Sequence, residues 1–271
     1  MFSNVFISEQ KVVLKRKLLW ISIGALAALM VLIIVGAYVT YQSNSADMEL
    51  NETIGALLWP DAPVAILGIA GQVGTLLVVI LAGAMIAQAY SWRTLHLWLS
   101  HGTSRPVLLG AKFAALILPV VITVLVTLLV GGVVSGAITQ HERGTLGLDQ
   151  IDAEQLVLAV FRTAFTLLPY AAMAILIAVV SRSAAGTIGA VVGYNLLIEG
   201  LVPIGVLKYL PGGLATSVNG LNQAIVNTAA TNGEAAAQLL APAQAAAGLA
   251  VYTLVFLALA VWAFRRQDLT G

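Results

Sequence analysis

Two ionisable residues stand inside apolar runs, where a charge usually has a function or a partner. They are Arg162 and Glu199, and Tyr194 and Asn195 lie about one turn before Glu199. A lone charge in hydrocarbon costs on the order of 3 kcal/mol. An ion pair between Arg162 and Glu199 on neighbouring antiparallel helices lowers this cost. Two alternatives stay open: Arg162 reaches the membrane surface by itself, or Glu199 lines a substrate path with Tyr194 and Asn195.

Other residue patterns argue against several kinds of site. The chain has no cysteine, which excludes disulfides, thiolate catalysis and Cys-ligated metals. It also has no G-x-x-x-x-G-K-[ST] loop, so it does not bind ATP by the P-loop route. Its three histidines, His96, His101 and His141, all fall between apolar runs. A metal site would therefore lack convergent ligands. An intramembrane serine protease would lack a histidine base within the apolar runs. We expect no catalytic residue, cofactor or metal ion in this chain.

The composition is that of an integral membrane protein. The 271 residues are 60% hydrophobic and 9% charged, with a mean hydropathy of +0.97, whereas soluble domains carry about 25% charged residues. Crossing about 30 Å of hydrocarbon takes about 20 residues, and six runs reach that length. They are residues 18–39, 64–88, 113–138, 156–180, 184–207 and 243–264. We expect one all-α transmembrane domain, residues 1–271, with six spans.

The charges between these runs are sorted by sign. Most Lys and Arg residues fall on the side of both chain ends, and most Asp and Glu residues fall on the other side. The positive-inside rule then places both ends in the cytoplasm. We expect a multi-pass protein of a cell membrane, with a prokaryotic plasma membrane as the setting.

Three further segments carry expectations. Residues 1–17 are either an interfacial helix or a frayed terminus. Residues 208–242 form a Gly- and Ala-rich connection on the outer side that is partly helical. Two glycine stripes, Gly131-Gly132 with Gly136 and Gly186 with Gly189 and Gly193, predict close helix packing.

The longest connection on the basic side, residues 90–112, contains an amphipathic pattern. Over residues 92–101, apolar side chains recur at helical spacing, which is typical of a helix in the membrane interface. Leu97 departs from this pattern because it projects from the polar face between His96 and His101. The segment is therefore a simple interfacial connector or a docking element for a cytoplasmic partner. The candidate contact residues are Arg93, His96, Leu97, Ser100, His101 and Arg105.

This segment resembles one in permease subunits of the type-2 (exporter) class of ATP-binding-cassette transporters. The residues that match the family's motif in order are Tyr90, Thr94, Leu95, Leu99, Gly102, Ser104, Arg105 and Lys112. Two positions depart from it, with Ala89 in place of a Glu and Arg93 in place of a Gly. The ending Phe264-Arg265-Arg266-Gln267-Asp268 is also similar to one common in that family.

The resemblance implies a function and partners. Residues 92–101 would be the coupling helix that seats in an ATPase subunit, residues 1–17 an elbow helix, and 208–242 short helices capping the outer mouth. Two permease subunits, alike or different, would form the path, and two separate ATP-binding subunits would bind ATP and Mg²⁺. An ion-coupled secondary transporter and a non-transporting scaffold or sensor are the alternatives. No pattern indicates nucleic-acid binding.

Overall fold

The computed structural model describes residues 2–43, 54–91, 104–226 and 239–267. These residues are mostly helical, because a helix satisfies its backbone hydrogen bonds internally, as an apolar surrounding requires. Residues 54–57 are helical, and nine further α-helices are defined in the described residues: α1 (Phe2–Lys15), α2 (Lys17–Ser43), α3 (Ala62–Ser91), α4 (Arg105–Arg143), α5 (Ala153–Ser181), α6 (Ala184–Gly193), α7 (Ile204–Leu207), α8 (Pro211–Asn219) and α9 (Pro242–Arg265). Two 3₁₀ helices, Leu148–Gln150 and Gly220–Ile225, and a π-helix, Tyr194–Glu199, complete the described elements.

Five of these helices, α2, α3, α4, α5 and α9, are long and apolar enough to cross a membrane. They contain the predicted runs 18–39, 64–88, 113–138, 156–180 and 243–264. The all-α, multi-pass character expected from composition is confirmed at this level. Most of them extend beyond the predicted run, and α4 begins at Arg105 rather than at residue 113, because polar residues also continue a helix once it leaves the apolar layer.

The predicted run 184–207 does not form one continuous span. Helix α6 changes to the π-helix after Gly193, and the helical path ends at Gly200. The apolar helix Ala184–Glu199 is shorter than the five candidate spans. Gly200 and Pro203, which lack a side chain and an N–H group respectively, favour this interruption. The structure therefore supports five spans directly and does not confirm the sixth.

The two ends of the bundle differ in charge. At one end, here called the basic end, α1, the start of α4, the α5–α6 turn and the end of α9 meet, as the contacts of Lys112, Arg105 and Arg182 show. The opposite end carries residues 54–61, 144–152 and 204–226. Helix α5 lies between α3 and α9 and is the most deeply buried of the five candidate spans. It provides the wall against which the candidate site is built.

Residues 2–15 form a helix, so the expectation of a frayed terminus is wrong for them. Helix α1 packs against α4 with Val5, Glu9 and Val13 buried along one face. Glu9 accepts a hydrogen bond from Lys112 Nζ at 2.8 Å, and both side chains are nearly inaccessible to solvent. The two residues are 103 positions apart in the chain, so the local sequence pattern could not indicate this ion pair.

At the opposite end, short elements fold back over the bundle. Helix α8 packs on α9 through Leu214 and Val218, which contact Ala245 and Leu249. An isolated antiparallel bridge joins Ile151 to Val226. Part of the predicted partly helical segment 208–242 is therefore helical, and its described portion, up to residue 226, is fastened between α5 and α9.

The two glycine stripes behave differently. A Cβ at Gly131 would lie 3.0 Å from Ile66 of α3, and one at Gly132 would lie 3.4 Å from Trp59. The prediction of close packing is confirmed for this stripe. On α6, nothing in the described chain lies within 4 Å of a Cβ at Gly189 or Gly193, and a Cβ at Gly186 would meet only Ser181 and Ser183 of the adjoining turn. This stripe is therefore not packed against another helix in the described part of the chain.

Candidate functional site

The Glu199 cavity is a polar hollow towards the opposite end of the bundle. It has a volume of about 630 Å³ and lies between α3, α5, the π-helix, α8 and the 3₁₀ helix Gly220–Ile225. Its polar wall includes Gln72, Thr75, Thr166, Thr216 and Gln223 in addition to the residues described below. Apolar side chains such as Val64 and Leu167 complete the wall.

Glu199 is buried, with 9% of its surface exposed, and three neutral donors hold its carboxylate. Tyr170 Oη donates to Oε2 at 2.7 Å, Asn195 Nδ2 donates to Oε2 at 2.8 Å, and the Gly212 backbone N donates to Oε1 at 2.8 Å. No Lys or Arg among the described residues lies within ion-pair distance of it. The carboxylate accepts all three of these hydrogen bonds.

The π-helix and the start of α8 bring these groups together. Asn195 and Glu199 are four residues apart in the π-helix, a rare element that is frequent at functional sites. Gly212 lies in the first turn of α8, where free N–H groups and the helix dipole favour a negative charge. A Cβ at Gly212 would lie 2.7 Å from Glu199 Oε2. Glycine therefore permits the backbone to approach the carboxylate this closely.

The carboxylate lies deep in the bundle. Its partner Tyr170 is about three turns before the end of α5 at Ser181, or about 16 Å along the axis from the basic end. Glu199 is the last residue of the apolar helix that starts at Ala184, or about 22 Å from the same end. The carboxylate and its Tyr170 partner are therefore both far from the basic end.

Two amide oxygens in the cavity wall have no hydrogen-bond partner in the described part of the chain. They are Asn219 Oδ1 at the end of α8 and Asn222 Oδ1 in the following 3₁₀ helix. Asn222 is only 2% exposed, and its Nδ2 donates to Thr163 Oγ1 at 3.3 Å. A buried acceptor without a donor costs roughly 1–3 kcal/mol. Both residues line the cavity, and both oxygens are almost completely covered by the described residues.

Arg162 and Glu199 do not meet. Arg162 Nη1 donates to the Leu221 carbonyl oxygen at 3.2 Å, and Nη2 donates to Gln155 Oε1 at 3.0 Å. Arg162 thus fastens the 3₁₀ helix to α5 and takes no part in the cavity. The ion pair considered from sequence is not formed, whereas the grouping of Glu199 with Asn195 is present. Tyr194 begins the π-helix, packs against neighbouring apolar residues, and lies close enough for its hydroxyl to interact with Glu199.

Tyr170 and Gly212 were missed by the sequence analysis. Tyr170 follows Pro169 in an apolar span, and its hydroxyl was the available signal, since a buried Tyr usually finds a polar partner. Gly212 was visible only as part of a Pro-Gly-Gly turn. No group of three or more His, Asp or Glu residues that could hold a metal ion occurs among the described residues.

A second arrangement, the Arg105 cluster, lies at the basic end and consists of Tyr90, Arg105, Val179, Phe264 and Gln267. Arg105 Nη1 lies 2.6, 2.8 and 3.0 Å from the carbonyl oxygens of residues 264, 265 and 267. Its guanidinium also stacks over the Phe264 ring, 5.5 Å from the centroid. Cations at a helix C-terminus are stabilised by the free carbonyl groups there.

Gln267 connects this cluster to two more helices. Tyr90 Oη donates to Gln267 Oε1 at 2.8 Å, and Gln267 Nε2 donates to the Val179 carbonyl oxygen at 2.7 Å. Tyr90, near the end of α3, and Arg105, at the start of α4, lie on either side of the 92–103 segment and both bind Gln267. Arg93, His96, Leu97, Ser100, His101 and the predicted helix 92–101 lie outside the described residues. Arg105, also a predicted partner contact, has its guanidinium engaged within the chain.

The fold and the polar cavity define a helical protein with several apolar helices of membrane-spanning length and a buried carboxylate among them. The chain belongs to a family described as a protein of unknown function, DUF2705, whose model matches residues 28–270. None of the curated proteins matches the chain.

Proposed function

We propose that this protein is the membrane-spanning permease subunit of an ATP-driven transporter of the exporter-class ATP-binding-cassette type. It does not hydrolyse ATP itself. Two permease subunits form the translocation path, and two separate ATP-binding subunits dock at the basic end, which faces the cytoplasm. ATP and Mg²⁺ bind to those partners.

The observation that carries the proposal is the anchoring of the 92–103 segment. Gln267 accepts a hydrogen bond from Tyr90 through its side chain and from Arg105 through its carbonyl oxygen. A segment that transmits a movement from a partner to the spans must be attached firmly at both ends, since a loose connection absorbs the movement. The basic side of the membrane is also where the resemblance to the exporter permeases places the coupling helix.

The sixth span of this proposal is the apolar helix Ala184–Glu199. Its sixteen residues extend about 24 Å, somewhat less than the hydrocarbon thickness. A short span is accommodated by local thinning of the bilayer. The short helix α8 contacts its far end, whereas Leu196, Leu197 and Leu201 around the interruption are exposed in the single chain.

The second permease subunit has a suitable surface on α6. Ala185, Gly186, Gly189 and Ala190 are exposed on one side of this helix. Small residues let two helices approach closely in a membrane, where packing rather than hydrophobic burial drives association. This face supports a dimer in which α6 of one subunit meets the other subunit.

The proposal is tested at Leu97. Leu97→Asp would bury an unpaired charge and remove an apolar contact if the segment seats in an ATPase cleft, a loss of several kcal/mol. We expect the variant to insert and fold normally but to lose co-purification with a P-loop ATPase and substrate-stimulated ATP hydrolysis. Leu95→Asp, on the lipid-facing side of the predicted helix, is the matched control and should weaken membrane attachment instead. Full association and full ATP-driven transport by Leu97→Asp would contradict the coupling role.

An ion-coupled transporter is the second candidate, because one observation favours it. Glu199 is a buried carboxylate beside an interrupted helix, an arrangement that ion-coupled carriers use for their coupling ion. Purified chain in proteoliposomes, without any ATPase, separates the two. Uptake driven by a proton or sodium gradient would support this candidate, and transport that requires both the ATPase and ATP would support the first.

A further inference from the structure

We propose that the Glu199 cavity is a binding site for a small organic cation, a ligand that carries a primary amine or a similar ammonium group. The proposal rests on the buried carboxylate, the two unpartnered amide oxygens and the size of the cavity. It does not depend on how the protein is energised. It would hold equally for a subunit of an ATP-driven exporter and for a carrier or sensor.

The charge of the site favours a cation. Among the described residues that line the cavity, Glu199 is the one carboxylate, and none is a Lys or Arg. Its described partners are a hydroxyl, an amide and a backbone N–H, which stabilise the charge without neutralising it. A carboxylate can accept about four hydrogen bonds. The Tyr194 hydroxyl also lies close enough to interact with the carboxylate. All of these groups are neutral, and an ammonium group would supply the missing positive charge.

The hydrogen-bonding groups point to the same class of ligand. Asn219 Oδ1 and Asn222 Oδ1 are acceptors without donors among the described residues. An ammonium group has three donors and no acceptor, so it complements a wall made of a carboxylate and amide oxygens. An anionic ligand would meet these acceptors and the carboxylate as repulsive groups. The N-terminus of α8, which would otherwise attract an anion, is already occupied by Glu199 through Gly212 N.

The size and access of the cavity suit an organic cation rather than a bare ion. A volume of about 630 Å³ falls within the 300–1,000 Å³ that small-molecule sites usually occupy. Gly68 and Gln72, on successive turns of α3, line the cavity and are exposed to the outside. A Cβ at Gly68 would meet nothing within 4 Å. This side of the cavity is therefore open, and a side chain added at Gly68 would narrow it without displacing the backbone.

The absence of cysteine allows a direct test with charged thiol reagents. Ala215→Cys places one thiol in the cavity wall on α8, and Thr145→Cys places one on the exposed connection between α4 and α5. Each purified variant in nanodiscs reacts with trimethylammonioethyl methanethiosulfonate, a cation, and with sulfonatoethyl methanethiosulfonate, an anion. We expect the cation-to-anion rate ratio to be at least about tenfold higher at position 215 than at position 145. Equal ratios, or no reaction of either reagent at position 215, would overturn the proposal.

Two further arms identify the cause. Glu199→Gln should lower the ratio at position 215 to that at position 145, and an unchanged ratio would overturn the proposal. n-Hexylammonium should slow the labelling of Ala215→Cys, whereas hexanol at the same concentration should not. Gly68→Leu, which leaves the contacts of Glu199 intact, should abolish this protection. If Glu199→Gln does not fold, the hexylammonium and Gly68→Leu arms decide: equal protection by the alcohol, or protection that survives in Gly68→Leu, would overturn the proposal.

Discussion

Glu199 shows how a membrane protein keeps a buried charge without an opposite charge beside it. The carboxylate accepts hydrogen bonds from Tyr170, Asn195 and the first turn of α8. Each charge-assisted hydrogen bond contributes roughly 1.5–3 kcal/mol. The three together therefore offset the cost of burying the charge, which is on the order of 3 kcal/mol. Arg162 has its own partners, because its guanidinium donates to a backbone carbonyl oxygen and to a glutamine side chain.

The separate surroundings of these two residues predict that their contributions to stability add. Glu199→Gln and Arg162→Leu should each destabilise the protein, and the double variant should lose the sum within about 0.5 kcal/mol, since distant sites without shared partners are independent. Thermal or denaturant unfolding of the four proteins in detergent measures this. Recovery of stability in the double variant relative to Glu199→Gln would instead reveal a direct ion pair.

At the scale of the elements, the Arg105 cluster makes the end of α9 a support for the start of α4. The guanidinium lies near three carbonyl oxygens and an aromatic ring. Arg266 nearby stacks on Trp262 of its own helix and makes no side-chain bond to the cluster among the described residues. Arg105 and Arg266 therefore form a matched pair, because both carry a positive charge but only Arg105 is hydrogen-bonded within the cluster.

Arg105→Gln should loosen the attachment of the 92–103 segment while leaving the spans in place. Because the variant loses hydrogen bonds of the charged kind, roughly 1.5–3 kcal/mol of local stability, we expect several-fold faster tryptic cleavage after Arg93. Arg266→Gln should be cleaved at the rate of the wild type. Similar cleavage of all three proteins would show that the cluster does not hold the segment.

The elements divide into those that the sequence could predict and those that it could not. Five long helices followed from run length, because an uninterrupted apolar stretch in lipid has helix as its main solution. The change to a π-helix after Gly193 could not be predicted in this way, because hydropathy contains no information on which backbone groups form hydrogen bonds. Glu199 and Asn195 were recognised as neighbours from their spacing, whereas Tyr170 and Gly212 come from other elements and depend on tertiary packing.

The register of neighbouring helices also explains why the predicted ion pair between Arg162 and Glu199 does not form. Antiparallel helices bring distant residues close, but a shift of one or two turns moves a side chain by about 5–11 Å. That shift places Tyr170, eight residues after Arg162, opposite Glu199. Composition and periodicity contain no information on such a shift.

For the whole molecule, the separation of charge between the two ends predicts the orientation. Lys and Arg residues gather at the basic end, and the opposite end carries Asp61, Glu142, Asp149 and Asp152. Single cysteines at Ser45 and Asn232 should react with impermeant maleimide on intact cells, and one at Ser100 should react only after the membrane is opened. Labelling of Ser100→Cys from outside would contradict the orientation with both ends in the cytoplasm.

The exposed small-residue face of α6 predicts where two subunits meet. Gly189→Leu should convert a dimer to a monomer in detergent, since a large side chain keeps the two helices apart. Val251→Leu on α9 enlarges another exposed apolar position and should leave the dimer intact. Light scattering of the purified proteins measures the mass, and a Gly189→Leu dimer would exclude this face as the contact.

The Arg105 cluster also sets an order of events during synthesis. Arg105 and its carbonyl partners are separated by 159 to 162 residues of chain. A ribosome must therefore make residue 267, and the last apolar helix must be inserted, before the two ends of the 92–103 segment are held. Until then a nascent or truncated chain displays that segment unsupported. If the proposed ATPase partner requires the held form, it would not bind unfinished chains, and the C-terminal residues would act as a quality control for assembly.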